Sequence, residues 1–201
     1  LQAGHQKTVT HTGWGLAYEA TIEAMEDDRH DQISKYAMWL MYTAGYTLEK
    51  RAANVYNNGF TTETTADGSS LFNTAHPLIR GGTASNRTSG DPDLSWTSLK
   101  NAITLLATDT KQDSGQIALA TQDLVLYVPP NLEMLGDRVV NSTGLPGSTD
   151  NDRNSIKSRR DIKIVVNPLL TDTTAWFLVA ANKKMHGVKA YERVPIEQME
   201  P

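Results

Sequence analysis

Few residues in this chain are of types and spacings that do chemistry. Asp27-Asp28-Arg29-His30-Asp31 is the densest polar cluster; carboxylates beside an imidazole could ligate a divalent metal. The simpler reading places these acids at the start of a helix, where they favour the positive end of its dipole. His76, between Ala75 and Pro77, is a candidate general base with Asp67 as its carboxylate partner, but no G-x-S-x-G elbow supplies a nucleophile. A packed or loop-capping histidine is the simpler reading there as well. The patterns G-x-x-x-x-G-K-[ST], G-x-G-x-x-G and H-E-x-x-H are absent, so nucleotide hydrolysis, dinucleotide binding and zincin chemistry have no sequence support. With no cysteine in 201 residues, disulfide scaffolds and thiolate zinc sites are excluded. No catalytic residue, cofactor or metal is assigned.

A second group is electrostatic. Arg153, Lys157, Arg159, Arg160 and Lys163 close a polar stretch over 141–160. Such a run is by default a solvated loop face; its alternative use is contact with phosphate or with an acidic neighbour. Glu19, Glu23, Glu26 and Asp27 form an acidic strip of opposite sign. Overall, 19 Lys and Arg stand against 23 Asp and Glu, a net charge of -4. That balance argues against a generic nucleic-acid binder, which neutralises phosphates with many cations. The sequons at Asn86 and Asn141 read as chance matches, because no secretory signal is visible.

The elements that must position these residues are legible in outline. All eight prolines lie at or after Pro77, so long uninterrupted elements are possible before it. Residues 8–18, with Val9, Trp14, Leu16 and Tyr18, read as an extended segment too poor in bulk for a core strand. Thr21 caps a short helical turn carrying Glu23 and Glu26. From about residue 28 to 58, Ile33, Tyr36, Ala37, Leu40, Met41, Ala44, Leu48, Ala52 and Val55 draw a helical stripe. Asn57-Asn58-Gly59 is expected to stop that helix through a left-handed glycine. A helix of that length spans about 45 Å, while a compact globule of this size is about 43 Å across. A flattened subunit with the helix as spine is therefore expected, with Gly45 costing about 1 kcal/mol in its middle.

Residues 61–90 read as a long surface excursion. Ser95 is expected to cap a helix with Trp96, Leu99, Ile103 and Leu106 on one face. A strand follows at 123–128, and Pro129-Pro130 opens a third helix bearing Leu132, Leu135 and Val139. Strands at 162–166, 176–181 and 188–194 close the chain. The class is α+β, because strands and helices mix without regular βαβ alternation. The longest apolar runs fall far short of the roughly 20 residues needed to span a bilayer, so the chain reads as soluble.

Three stretches carry a family likeness. The first is Thr21-Ile22-Glu23-Ala24-Met25-Glu26-Asp27-Asp28, leading into the long helix. The second is Thr47-Leu48-Glu49-Lys50-Arg51-Ala52-Ala53-Asn54-Val55-Tyr56-Asn57-Asn58-Gly59-Phe60. The third, and most specific, is Asp67-Gly68-Ser69-Ser70-Leu71-Phe72-Asn73-Thr74-Ala75-His76-Pro77-Leu78. With Asp123 to Pro130 and Asn167 to Leu178 behind them, the chain resembles the major capsid proteins of tailed bacteriophages with the Hong Kong 97-type fold. Within these it is most similar to the Mu-like major head subunit family.

The resemblance implies a structural head protein that assembles as hexamers and pentamers into an icosahedral shell around double-stranded DNA. Residues 1–20 would be the returning strand of an extended loop, 21–60 a peripheral domain with the spine helix, 61–185 an axial domain, and 186–201 a return to the periphery. The family's N-terminal arm and the outgoing strand of its loop would lie ahead of Leu1. Implied partners are copies of the chain itself; scaffold, portal or decoration proteins; and the packaged DNA through weak non-specific contact, with no membrane. The implied location is the virion capsid, assembled in the bacterial cytoplasm. Trp14 and Tyr18 are expected to pack on a neighbour, and the basic residues 153–163 to face an acidic surface or the genome. Two alternatives stay open from the residues: an encapsulin-like nanocompartment shell with the same fold, and a soluble hydrolase using His76.

Overall fold

A computed structural model describes residues 4–27, 31–111, 115, 123–148, 152–180 and 191. The chain divides into two compact units, a larger one from 1–7 and 53–189 and a smaller one from 8–52 and 190–201.

In the larger unit a three-stranded sheet has the order β4-β3-β5, formed by β3 (Leu124–Val128), β4 (Ile162–Val166) and β5 (Phe177–Ala180). β3 runs parallel to β4, with Leu124 opposite Ile162, and antiparallel to β5, with Tyr127 opposite Phe177. Leu124, Leu126 and Val128 point to one face and are buried, while Val125 and Tyr127 are half-buried on the other. Both faces of the central strand are covered, which is why Leu-Val-Leu-Tyr-Val reads as an unbroken apolar run.

Helices cover the first face. α3 (Trp96–Thr108) starts at Ser95, whose hydroxyl accepts from the Ser98 N–H while the Ser98 hydroxyl accepts in return from the Ser95 N–H. This reciprocal cap satisfies two otherwise orphan donors. Leu99 of α3 is fully buried, and Trp96, Ile103 and Leu106 pack around it, as the spacing predicts. Pro129 and Pro130 lead through a single 3-10 turn into α4 (Glu133–Asn141). Gly136 of α4 is buried against the sheet, where an added Cβ would stand in ordinary contact with Leu126 at 3.4 Å.

The other face is aromatic. Tyr127 and Phe177 meet Tyr56, Phe60 and Phe72, with ring centroids 4.9 to 6.4 Å apart, separations at which aromatic pairs attract. Burial, and then the neighbouring Tyr127, push the Tyr56 hydroxyl above its ordinary pKa.

Several expectations change. The stretch 141–160 is more than a polar loop: Asn154 caps α5 (Ser155–Arg159), so Lys157 and Arg159 sit on a helical turn. α4 and α5 connect β3 to its parallel neighbour β4, so one βαβ crossover exists inside the α+β fold. Residues 61–90 contain a small antiparallel hairpin of β1 (His76–Pro77) and β2 (Thr83–Ala84), and Ala84 and Ser85 are buried. Gly59 is not left-handed; a Cβ there would lie 2.5 Å from the Phe72 ring, so close approach requires the glycine. Asn57 clamps the loop between β4 and β5, donating to the Leu169 carbonyl at 3.0 Å and accepting from the Thr171 N–H at 3.0 Å. The expected strand at 188–194, apart from Tyr191, and the cluster residues 28–30 lie outside the described residues.

The smaller unit is helical. α1 (Ile22–Glu26) is capped by Thr21, whose hydroxyl accepts from the Ala24 N–H at 3.2 Å. α2 (Gln32–Asn57) begins later than expected and has no acid in its first turn. Asp31 precedes it with φ 55°. The last turn of α2, from Ala53, belongs to the larger unit. Residues 8–20 carry no regular element.

Candidate functional site

Residues 8–52 have an unusual exposure pattern: none of those described is buried. Among the described residues, thirteen of the sixteen large apolar side chains that are exposed fall in this stretch, from Val9 to Leu48. An amphipathic helix normally hides one stripe and shows polar residues elsewhere. α2 only half-buries Ile33, Ala37, Leu40 and Ala44 of its stripe, and shows Tyr36, Met38, Trp39 and Tyr42 to solvent. Contiguous apolar surface of this kind marks a place where another surface docks.

Trp14 and Tyr18 belong to this surface. Trp14 is 72% exposed, with the Arg51 guanidinium 4.2 Å from its ring centre, and Tyr18 leans on Tyr36 with centroids 6.3 Å apart. Exposed cation–π contacts are worth about 0.5–1 kcal/mol, a light hold for a large ring. Of the acidic strip, Glu19, Glu23, Glu26 and Asp27 are all exposed, the last three on or at the end of α1.

The basic residues gather at the crossover. Arg153 precedes α5, Lys157 and Arg159 lie on it, Arg160 ends it, and Lys163 projects from β4. Arg160 is half-buried and the other four are exposed. Lys157, Arg159 and Arg160 line an open groove of about 400 Å³, together with Val140, Asn141, Ser158, Asp161 and Ile162. Two polar hubs hold this region and the excursion in shape, and only the second, His76, lies in a stretch that the sequence singles out. Asn154 is 1% exposed and bonds through every position of its amide.

His76 is the second hub. Its Nδ1 lies 2.7 Å from Asp67 Oδ2 and its Nε2 3.2 Å from Asn86 Oδ1. The fold thus brings His76 and Asp67 together, but both ring nitrogens are engaged and neither is open to a substrate. Among the described residues, no group of three or more His, Asp or Glu side chains is arranged to hold a metal. No described helix is long and apolar enough to cross a membrane.

The chain is similar to a family described as phage capsid protein, whose model matches residues 6–201. No curated protein and no solved structure matches it.

Proposed function

The chain belongs to the phage capsid protein family, and from that premise we propose that it is the major head subunit of a tailed bacteriophage. Its role is structural, in the virion capsid. In this reading it has the Hong Kong 97-type fold of the Mu-like branch and self-assembles as hexamers and pentamers into an icosahedral shell around double-stranded DNA. Residues 1–20 act as the returning strand of an extended loop, and 21–60 as the peripheral domain with α2 as its spine. Residues 61–185 form the axial domain, and 186–201 return to the periphery.

The observation that carries this reading is the exposed apolar surface of 8–52. It belongs to a stretch in which none of the described residues is buried, and burying such surface is worth about 25 cal/mol per Å². Trp14 and Tyr18 pack on a neighbouring copy. The acidic strip Glu19, Glu23, Glu26 and Asp27 meets Arg153, Lys157, Arg159, Arg160 and Lys163 of another copy, or those cations meet the genome. Ring-forming contacts of this heterologous kind close into capsomers. Scaffold, portal and decoration proteins are further partners, and assembly takes place in the host cytoplasm.

Negative-stain microscopy with light scattering on the full-length product tests this. Closed shells or capsomer rings are expected. A monodisperse monomer would overturn the assembly reading, and shells that hold protein cargo instead of DNA would overturn the genome-enclosing part.

A further inference from the structure

The stretch from Asp67 to Leu78 closes around one imidazole ring, and both of that ring's nitrogens face oxygen. Nδ1 meets the Asp67 carboxylate and Nε2 meets the Asn86 amide oxygen. The carboxylate is held as an acceptor by the Ser69 N–H at 3.0 Å and by the Thr65 hydroxyl. The Asn86 amide is fixed as well, because its Oδ1 accepts from the Asn73 N–H at 2.8 Å and its Nδ2 donates to the Leu71 carbonyl at 2.7 Å. Flipping it would set N–H against N–H and oxygen against oxygen.

A neutral imidazole carries one N–H, so either tautomer turns a ring lone pair towards an oxygen lone pair. Only a ring protonated on both nitrogens bonds both partners.

We propose that His76 is a proton-operated latch on the 61–90 excursion, tying the turn at Asp67 to Asn86 while doubly protonated and losing its own bond to Asn86, which Asn73 and Leu71 still hold, when Nε2 releases its proton to solvent. Asp67 is the charged group that faces the ring. Arg87, next to Asn86, is turned instead to Asp91, with Nε 2.7 Å from its Oδ1, and Lys7 reaches the Thr64 carbonyl. The His76 and Asp67 side chains are only 14% and 9% exposed, so water competes poorly for their contact.

Burial raises the Asp67 carboxyl, but hydrogen bonds from Thr65, His76 and Ser69, with the charge of His76, outweigh it and hold the group below its ordinary value. A carboxyl lowered on folding contributes stability above its unfolded pKa and loses it as pH falls through the folded one. The acid edge therefore lies below the ordinary carboxylate range.

The test is hydrogen–deuterium exchange on the full chain from about pH 6 to about pH 9, a span across which histidines titrate, with rates corrected for intrinsic exchange. Peptides covering 67–76 should lose protection roughly fivefold towards alkaline pH, the size of one lost hydrogen bond. Peptides covering 124–128 should not change. His76→Gln, which cannot take up the second proton, should abolish the response. If that variant does not fold, ring ¹⁵N shifts of the wild-type histidines still decide. A doubly protonated His76 at the acid end supports the latch. A neutral ring there, or equal protection at both ends, overturns it.

Discussion

Asn154 concentrates more hydrogen bonding than any single motif in the sequence announces. Its Oδ1 accepts from the Ile156 N–H and the Trp96 indole N–H, both at 3.1 Å. Its Nδ2 donates to the Val139 carbonyl at 2.9 Å and the Ser142 hydroxyl at 3.1 Å. The amide thereby joins α3, the end of α4 and the start of α5. Truncating it strands several buried polar groups at once, each carrying a desolvation penalty, so Asn154→Ala should destabilise by about 2–4 kcal/mol, measured by denaturant unfolding. Two glycines should answer alanine in opposite senses. Gly59→Ala forces a Cβ into the Phe72 ring and should cost about 1–3 kcal/mol. Gly45→Ala meets nothing within 4 Å in mid-helix and should gain about 1 kcal/mol. Thermal melts of the two variants check the signs together. In the sequence Gly59 looks like a left-handed stop, because Asn-Asn-Gly after a helical stripe has that form; the ring that excludes a side chain comes from thirteen residues further on and leaves no local mark.

Elements with a local physical signature were legible from their residues, and elements defined by distant partners were not. Ser95 with an apolar face about three turns long announces α3, and two prolines after an apolar run announce the end of β3 and the start of α4. α5 shows no periodicity, since five residues make little more than one turn, and only Ile156 of them is buried. The parallel pairing of β3 with β4 spans a crossover of more than thirty residues, and nothing in either strand names its partner. On α2 the stripe of apolar residues was visible, but its extent misled. Trp39 and Tyr42 lie off that stripe and are exposed, and that excess is the mark of the candidate surface. Replacing Met38, Trp39 and Tyr42 together by serine removes this surface without touching a buried group. Unfolding of the larger unit should stay within about 0.5 kcal/mol of wild type, while light scattering should show assembly reduced or lost; unaltered particles would show that this face is not a contact.

Across the molecule, charge and apolar surface are segregated. The buried apolar core belongs to the larger unit, at the sheet and its helices, and the acidic strip and much of the exposed apolar surface belong to the smaller. Reversing both Arg159 and Arg160 to Glu should block or alter assembly if the basic groove meets the acidic strip of another copy. Pairing that double variant with Glu23→Lys and Glu26→Lys should restore particles, and high salt should weaken the wild-type contact, as screening demands. Restoration by salt alone in the double variant would point to simple repulsion between like-charged surfaces. The family was legible from the order and spacing of three motifs, whereas the surfaces that serve it depend on which apolar side chains the fold leaves uncovered. A stretch in which no described residue is buried, as in 8–52, has little cooperative melting to call its own. If that stretch is the contact between copies, its ordering is linked to association by mass action, and its transition temperature should climb with protein concentration while that of the larger unit stays fixed. Calorimetry of assembly should then record a negative heat-capacity change, the signature of apolar surface leaving water, and shell formation would be the last step in folding this chain.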